Sequence, residues 1–126
     1  LVEYFTVYSE IEFDSIAFTG MSGAIIVPEV AARLNKELIL VRKEKNSHSP
    51  VMVEGNYGSK NYIILDDLID TANTIKFILS QISNFRFKEL AFPANIKCQR
   101  IFVYDRNFSN KFEIENVGIT ELKLID

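Results

Sequence analysis

Residues 61–75 read NYIILDDLIDTANTI. Tyr62 to Leu65 are apolar, Asp66 and Asp67 follow directly, and Asp70, Thr71 and Thr74 come within the next turn of chain. An unbroken apolar run that stops at polar residues reads as a strand covered on both faces. The residues that follow, ANTIKFILSQISNF, place Ile75, Ile78, Leu79 and Ile82 on one helical stripe. A buried strand, an acidic turn and an amphipathic helix make one α/β unit. Adjacent carboxylates at the end of such a strand repel each other, so a ligand at that point is expected to offset the arrangement.

The same order recurs to either side. FDSIAFTG reads as a strand ending at Gly20, and MSGAIIVPEVAARLNKE as a helix whose Pro28 implies a late start or a local kink. ELILVRK is a β-rich run that passes into charge. The stretch EKNSHSPVMVEGNYGSKN is polar and glycine-bearing, and is expected to be a loop with a mobile centre. CQRIFVYDR reads as another strand, the tail KFEIENVGITELKLID as one or two short strands, and LVEYFTVYSEI as a short helix. The expected fold is α/β: three layers, a mostly parallel sheet with helices on both faces.

Composition bounds the function. With 126 residues and no long linker, residues 1–126 are expected to form a single domain. Apolar residues make up 48%, and ten Phe with five Tyr supply bulk for a core. No apolar run approaches a membrane span, and the first ten residues lack the basic start of a secretory signal. The lone Cys98 excludes an internal disulfide and fits a reducing cytoplasm. A formal charge of −3 gives no general pull toward nucleic acid or membrane, so any polyanion must be held by a local site.

In parallel sheets ligands gather beyond the carboxyl ends of the strands. Three polar stretches follow apolar strands here: TGMSGA, RKEKNSH and DDLIDTANT. In the last, free backbone N–H groups at a helix start, beside the Thr71 and Thr74 hydroxyls, suit a phosphate. Asp66 and Asp67 can accept hydrogen bonds from vicinal hydroxyls or bind Mg²⁺ through oxygen. A phosphate cradle beside hydroxyl acceptors describes a ribose 5-phosphate site. The plainer reading is a helix N-cap with acids favoured by the macrodipole. A dehalogenase-type aspartate pair would need an acid at Leu68, and the GxxxxGK[ST] nucleotide loop is absent.

Two acids, two apolar residues and D-T-x-x-T after an apolar run resemble the diphosphoribose-binding signature of type I phosphoribosyltransferases. The resemblance covers about residues 13–105. It implies that Asp66 and Asp67 hold the ribose hydroxyls and Mg²⁺, and that Asp70, Thr71, Ala72, Asn73 and Thr74 wrap the 5-phosphate. Asn73 stands where many members carry glycine. By the same resemblance Thr19, Gly20, Met21, Ser22 and Gly23 form the pyrophosphate loop. Arg42, Lys43, Glu44 and His48 are similar to the R-K-E-x-K-x-H stretch of orotate members, with Lys45 the nearest replacement for the lysine that falls on Asn46.

The implied substrates are phosphoribosyl pyrophosphate and a nucleobase, the implied partner a second copy in a homodimer. Arg42 and Lys43 would neutralise the departing pyrophosphate, Asp70 would take the base's proton, and a loop from 42 to 58 would close over the site. The hood that reads the base in family members is expected to be reduced or absent, with Phe108, Phe112 and the ENVGI segment the candidates to cap a base. A binding module of the same fold, holding phosphoribosyl pyrophosphate or a nucleotide without catalysis, is the second reading. An unrelated doubly wound domain of flavodoxin type is the third.

Overall fold

The computed structural model describes residues 11–42, 52–66, 73–85, 92–103 and 113–121. Their elements, in chain order, are β1 (Ser15–Phe18), α1 (Gly20–Leu34), β2 (Glu37–Val41), β3 (Val53–Gly55), β4 (Asn61–Asp66), α2 (Asn73–Asn84), β5 (Lys97–Val103), β6 (Glu113–Ile114) and β7 (Val117–Glu121). The helix expected over residues 1–11 lies, but for Ile11, outside the described residues.

The strands form one sheet in the order β3-β2-β1-β4-β5-β7-β6. β2, β1, β4, β5 and β7 run parallel, and β3 and β6 close the two edges antiparallel. The period-2 alternation of a strand explains why the central runs are apolar throughout. Ile16, Phe18, Ile63, Leu65 and Phe102 point to one face and pack with Val27, Val30 and Ala31 of α1. Ala17, Tyr62, Ile64, Ile101 and Val103 point to the other and pack with Ile75, Ile78, Leu79 and Ile82 of α2. The three-layer reading and the helical stripe of α2 therefore hold. Each fully buried Ile or Leu of that stripe contributes about 1.5–3 kcal/mol of transfer free energy.

Three expectations need correction. Pro28 does not delay the start of α1, which begins at Gly20 and carries Pro28 inside it. The missing N–H would have reached the carbonyl of Ala24, an exposed residue at which water can serve instead. The helix stops at Leu34, short of the expected Glu37, because Asn35 turns left-handed at φ 57. The N–H groups of Asn35 and Lys36 then return to the carbonyls of Ala32 and Ala31 at 3.3 and 2.8 Å. Finally, the expected loop from 42 to 58 contains strand β3. Its fully buried Val53 belongs to the core, but three residues between polar stretches are too few to show a period.

At the amino ends of the strands Asp14 acts as a staple. Its carboxylate accepts hydrogen bonds from the Ser59 and Ser15 hydroxyls and from the Lys60 and Asn61 N–H groups. Its backbone bonds Asn61 and Glu37 at 2.8 and 3.0 Å, linking β1 to both neighbours.

Candidate functional site

Because the core strands are parallel, their carboxyl ends share one edge of the sheet. The chain leaves β1 toward β2 on one side and later returns as β4 on the other. This reversal is the switch point at which an open α/β sheet parts its loops and leaves a crevice. The β1–β4 ladder ends at the pair Ala17 and Ile64, and two steps beyond each lie Thr19 and Asp66.

Thr19 occupies the N-cap position of α1 in extended conformation, yet its side chain makes no cap. The hydroxyl donates instead to the Val41 carbonyl at 2.5 Å. That bond ties the end of β1 to the end of β2. Gly20 follows at φ 75, a left-handed backbone that turns the chain sharply from strand to helix. The opening amides of α1, from Gly20 through Met21 and Ser22 to Gly23, thus begin at the sheet edge with no side-chain cap and no acid in the first turn. Uncapped amides at a helix start attract an anion. Gly23 lies against Phe18, where a Cβ would meet the ring at 3.0 Å and force it to give by a few tenths of an ångström.

Asp66 is the last residue of β4 and only 6% exposed. A carboxylate drawn in this far is costly unless something beside it favours the charge. Asn73, exposed, and Thr74, half-buried, open α2, whose first turn also carries no acid. Lys43, Lys45, His48, Asp67, Asp70, Thr71 and Ala72 lie outside the described residues.

Arg42 directly follows β2 at the same edge. Its N–H donates to the Met52 carbonyl at 2.7 Å, and its Nη2 pairs with the Glu54 carboxylate of β3 at 2.8 Å. Glu54 stands opposite Leu40, two residues before Arg42. The pair is therefore diagonal and draws the guanidinium back along the sheet rather than over the edge. Sequence reasoning passed over Glu54. The available signal was a carboxylate on the chain returning from a basic loop.

The segment ENVGI, expected as a cap for a base, lies at the pole opposite the carboxyl edge of the sheet. Glu115 and Asn116, both at positive φ, form the tight turn between β6 and β7. β7 starts at Val117 and runs parallel to β5, so that turn lies at the amino ends of the strands. Phe108 and Phe112 lie outside the described residues.

Among the described residues no group of three or more His, Cys, Asp or Glu could hold a metal ion. Asp66 supplies the one kind of donor Mg²⁺ asks of a protein when phosphates and water complete its shell, a carboxylate oxygen. The donor chemistry fits. Among the described residues no helix is long and apolar enough to cross a membrane.

No family model matches the sequence, and no curated protein matches it. Solved structures resemble the fold, among them the following two. A UMP synthase of Leishmania donovani superposes with a TM-score of 0.67 at 22% identity, over 94% of this chain and 25% of that one. An adenine phosphoribosyltransferase of Saccharomyces cerevisiae, complexed with an imino-altritol bisphosphate and adenine, superposes with a TM-score of 0.56 at 17% identity, over 95% of this chain and 75% of that one. The chain thus spans about a quarter of the length of the UMP synthase it resembles. The switch point between β1 and β4, the two helical layers and these likenesses agree: the chain has the fold of the type I phosphoribosyltransferases.

Proposed function

We propose that the chain binds 5-phosphoribosyl-1-pyrophosphate at the carboxyl edge of the sheet and transfers its phosphoribosyl group to a nucleobase. The observation that carries this reading is the buried carboxylate of Asp66 at the end of β4, the strand that flanks β1 at the switch point. It lies at the head of the stretch that resembles the diphosphoribose signature. Asp66 and Asp67 accept the ribose hydroxyls, and residues 70–74 surround the 5-phosphate. The opening amides of α1 face the pyrophosphate, with Lys43, Lys45 and His48 as further donors. Asp66 and Asp67, together with the pyrophosphate, would hold Mg²⁺, which when bound would supply neutralisation of part of the pyrophosphate charge.

In the reaction a nitrogen of the base bonds to C1 of the ribose while the bond from C1 to the pyrophosphate oxygen breaks. The electron pair leaves with pyrophosphate, and the base's proton passes to the Asp70 carboxylate. Positive charge builds on the sugar ring, where Asp66 and Asp67 stabilise it. The work of the chain is positioning and charge complementarity rather than covalent chemistry.

One observation favours the second reading, a module that binds phosphoribosyl pyrophosphate or a nucleotide without turnover. Arg42, assigned to the departing pyrophosphate, is engaged by Glu54. The two readings separate on pyrophosphate release from phosphoribosyl pyrophosphate with Mg²⁺ and a panel of free bases. Release with any one base supports transfer. Calorimetric binding without release supports the module, and the lack of both removes the sugar-phosphate site.

A further inference from the structure

We infer that Glu54 is a resident counter-anion that restrains Arg42 until a polyphosphate displaces it. The inference rests on the proposed polyphosphate site and adds to it a residue that regulates how readily the site loads.

The Arg42 backbone continues the β2–β3 ladder through its bond to Met52, and the proposal requires a change of partner by the side chain alone. Val41 points into the α2 face of the core, whereas Leu38 and Leu40 pack toward the α1 face. By alternation Arg42 shares the face of Leu40 and meets Glu54 across the edge of the sheet. Nη2 binds Glu54 at 2.8 Å, while Nε is buried with no hydrogen-bond partner among the described residues. A guanidinium presents five donors in a fixed fork, and this one keeps a donor in reserve.

The pair's side chains are 25% and 39% exposed, a setting in which solvent screens the attraction and leaves the bond weak. A pyrophosphate offers several charges and the bidentate geometry that a guanidinium matches best, so it can displace one carboxylate. Displacement still reduces apparent affinity, because only the fraction of molecules with Arg42 released can use it. For an ion pair of this exposure the reduction is about two- to six-fold. Glu54 is a positioning residue in this scheme, acting on the ligand through Arg42.

The test is a double-mutant cycle on magnesium pyrophosphate binding, read by titration calorimetry. Glu54→Gln is expected to tighten binding about two- to six-fold, and Arg42→Gln to weaken it. In the Arg42→Gln background the Glu54→Gln effect must vanish. Glu54→Asp, which shortens the reach but keeps the charge, is expected to tighten binding as well and guards against a folding defect peculiar to the amide. Equal or weaker binding by both Glu54 variants, with the wild type binding normally, overturns this inference alone. No binding of magnesium pyrophosphate or phosphoribosyl pyrophosphate by the wild type or any variant overturns the proposed site and the inference together.

Discussion

The Thr19 hydroxyl donates to the Val41 carbonyl at 2.5 Å across 22 positions of chain. The residue that would ordinarily cap α1 is thereby used to join β1 to β2 instead, and the first amides of the helix carry no side-chain cap. Thr19→Val keeps the shape and removes the donor, stranding a buried carbonyl. The expected loss is about 1–3 kcal/mol of stability, read as a lower urea midpoint with an unchanged slope. Thr19→Ser, which keeps the hydroxyl, is expected to recover most of it.

Asp14 predicts an acid limb. Burial pushes its carboxyl up, but hydrogen bonds from the Ser59 hydroxyl, the Lys60 N–H, the Ser15 hydroxyl and the Asn61 N–H outweigh that, and the net shift is down from 3.8. A carboxyl depressed in the folded state binds protons more weakly there than in the unfolded chain. Its contribution is therefore complete above the unfolded value and disappears as pH falls through the folded one. Asp14→Asn is expected to lower stability at neutral pH and to flatten the decline of the urea midpoint below about pH 4.

Gly55 ends β3 at φ 141, and a Cβ there would stand 2.0 Å from the Leu38 carbonyl oxygen and 2.9 Å from the Ile39 Cα. Both obstacles are backbone of the neighbouring strand, which cannot rotate away. Gly55→Ala is expected to cost about 2–4 kcal/mol and to lower the melting temperature accordingly. At Gly118 the nearest obstacle is the Nη1 tip of Arg100, at 2.8 Å. That tip is flexible, so Gly118→Ala provides the mild control.

Elements that show a period were legible in the sequence. α2 appeared through its four-residue stripe, and β1, β4 and β5 through apolar runs that only a doubly covered sheet requires. What stayed illegible depended on contacts between distant residues. Nothing local says that Thr19 bonds Val41 rather than its own helix, or that Arg42 turns to Glu54. β3 was hidden because Val53 is its only fully buried residue in a stretch otherwise rich in charge and turn formers. The pole occupied by ENVGI followed from the direction of β7, which pairing with β5 sets and its own residues do not.

Cys98 lies on the α2 face of β5 at 7% exposure, and burial pushes its thiol up to about 12. The thiolate is the nucleophile in alkylation and oxidation, so a neutral buried thiol is inert. Iodoacetamide at about pH 8 is expected to leave the folded chain unmodified for as long as it stays folded. The rate should rise with urea in step with unfolding. Rapid labelling without denaturant would mean that this part of the sheet opens locally.

Asp66→Asn is the substitution that most directly questions the sugar site. The amide keeps size and one acceptor but loses the charge that would strengthen hydrogen bonds from the hydroxyls of the proposed ribose. Hydrogen bonds to a charged group are worth about 1.5–3 kcal/mol, which corresponds to roughly a ten- to hundred-fold weaker affinity for phosphoribosyl pyrophosphate with Mg²⁺. The same titration on Leu65→Val, one residue earlier and pointing into the α1 face, separates loss of the charge from loss of packing. That variant is expected to melt earlier by the small cost of one buried methylene, about 1 kcal/mol, while binding at near wild-type affinity. Wild-type affinity in Asp66→Asn would place the ribose elsewhere. Equal weakening in both variants would make Asp66 a support of the strand end rather than a contact of the sugar.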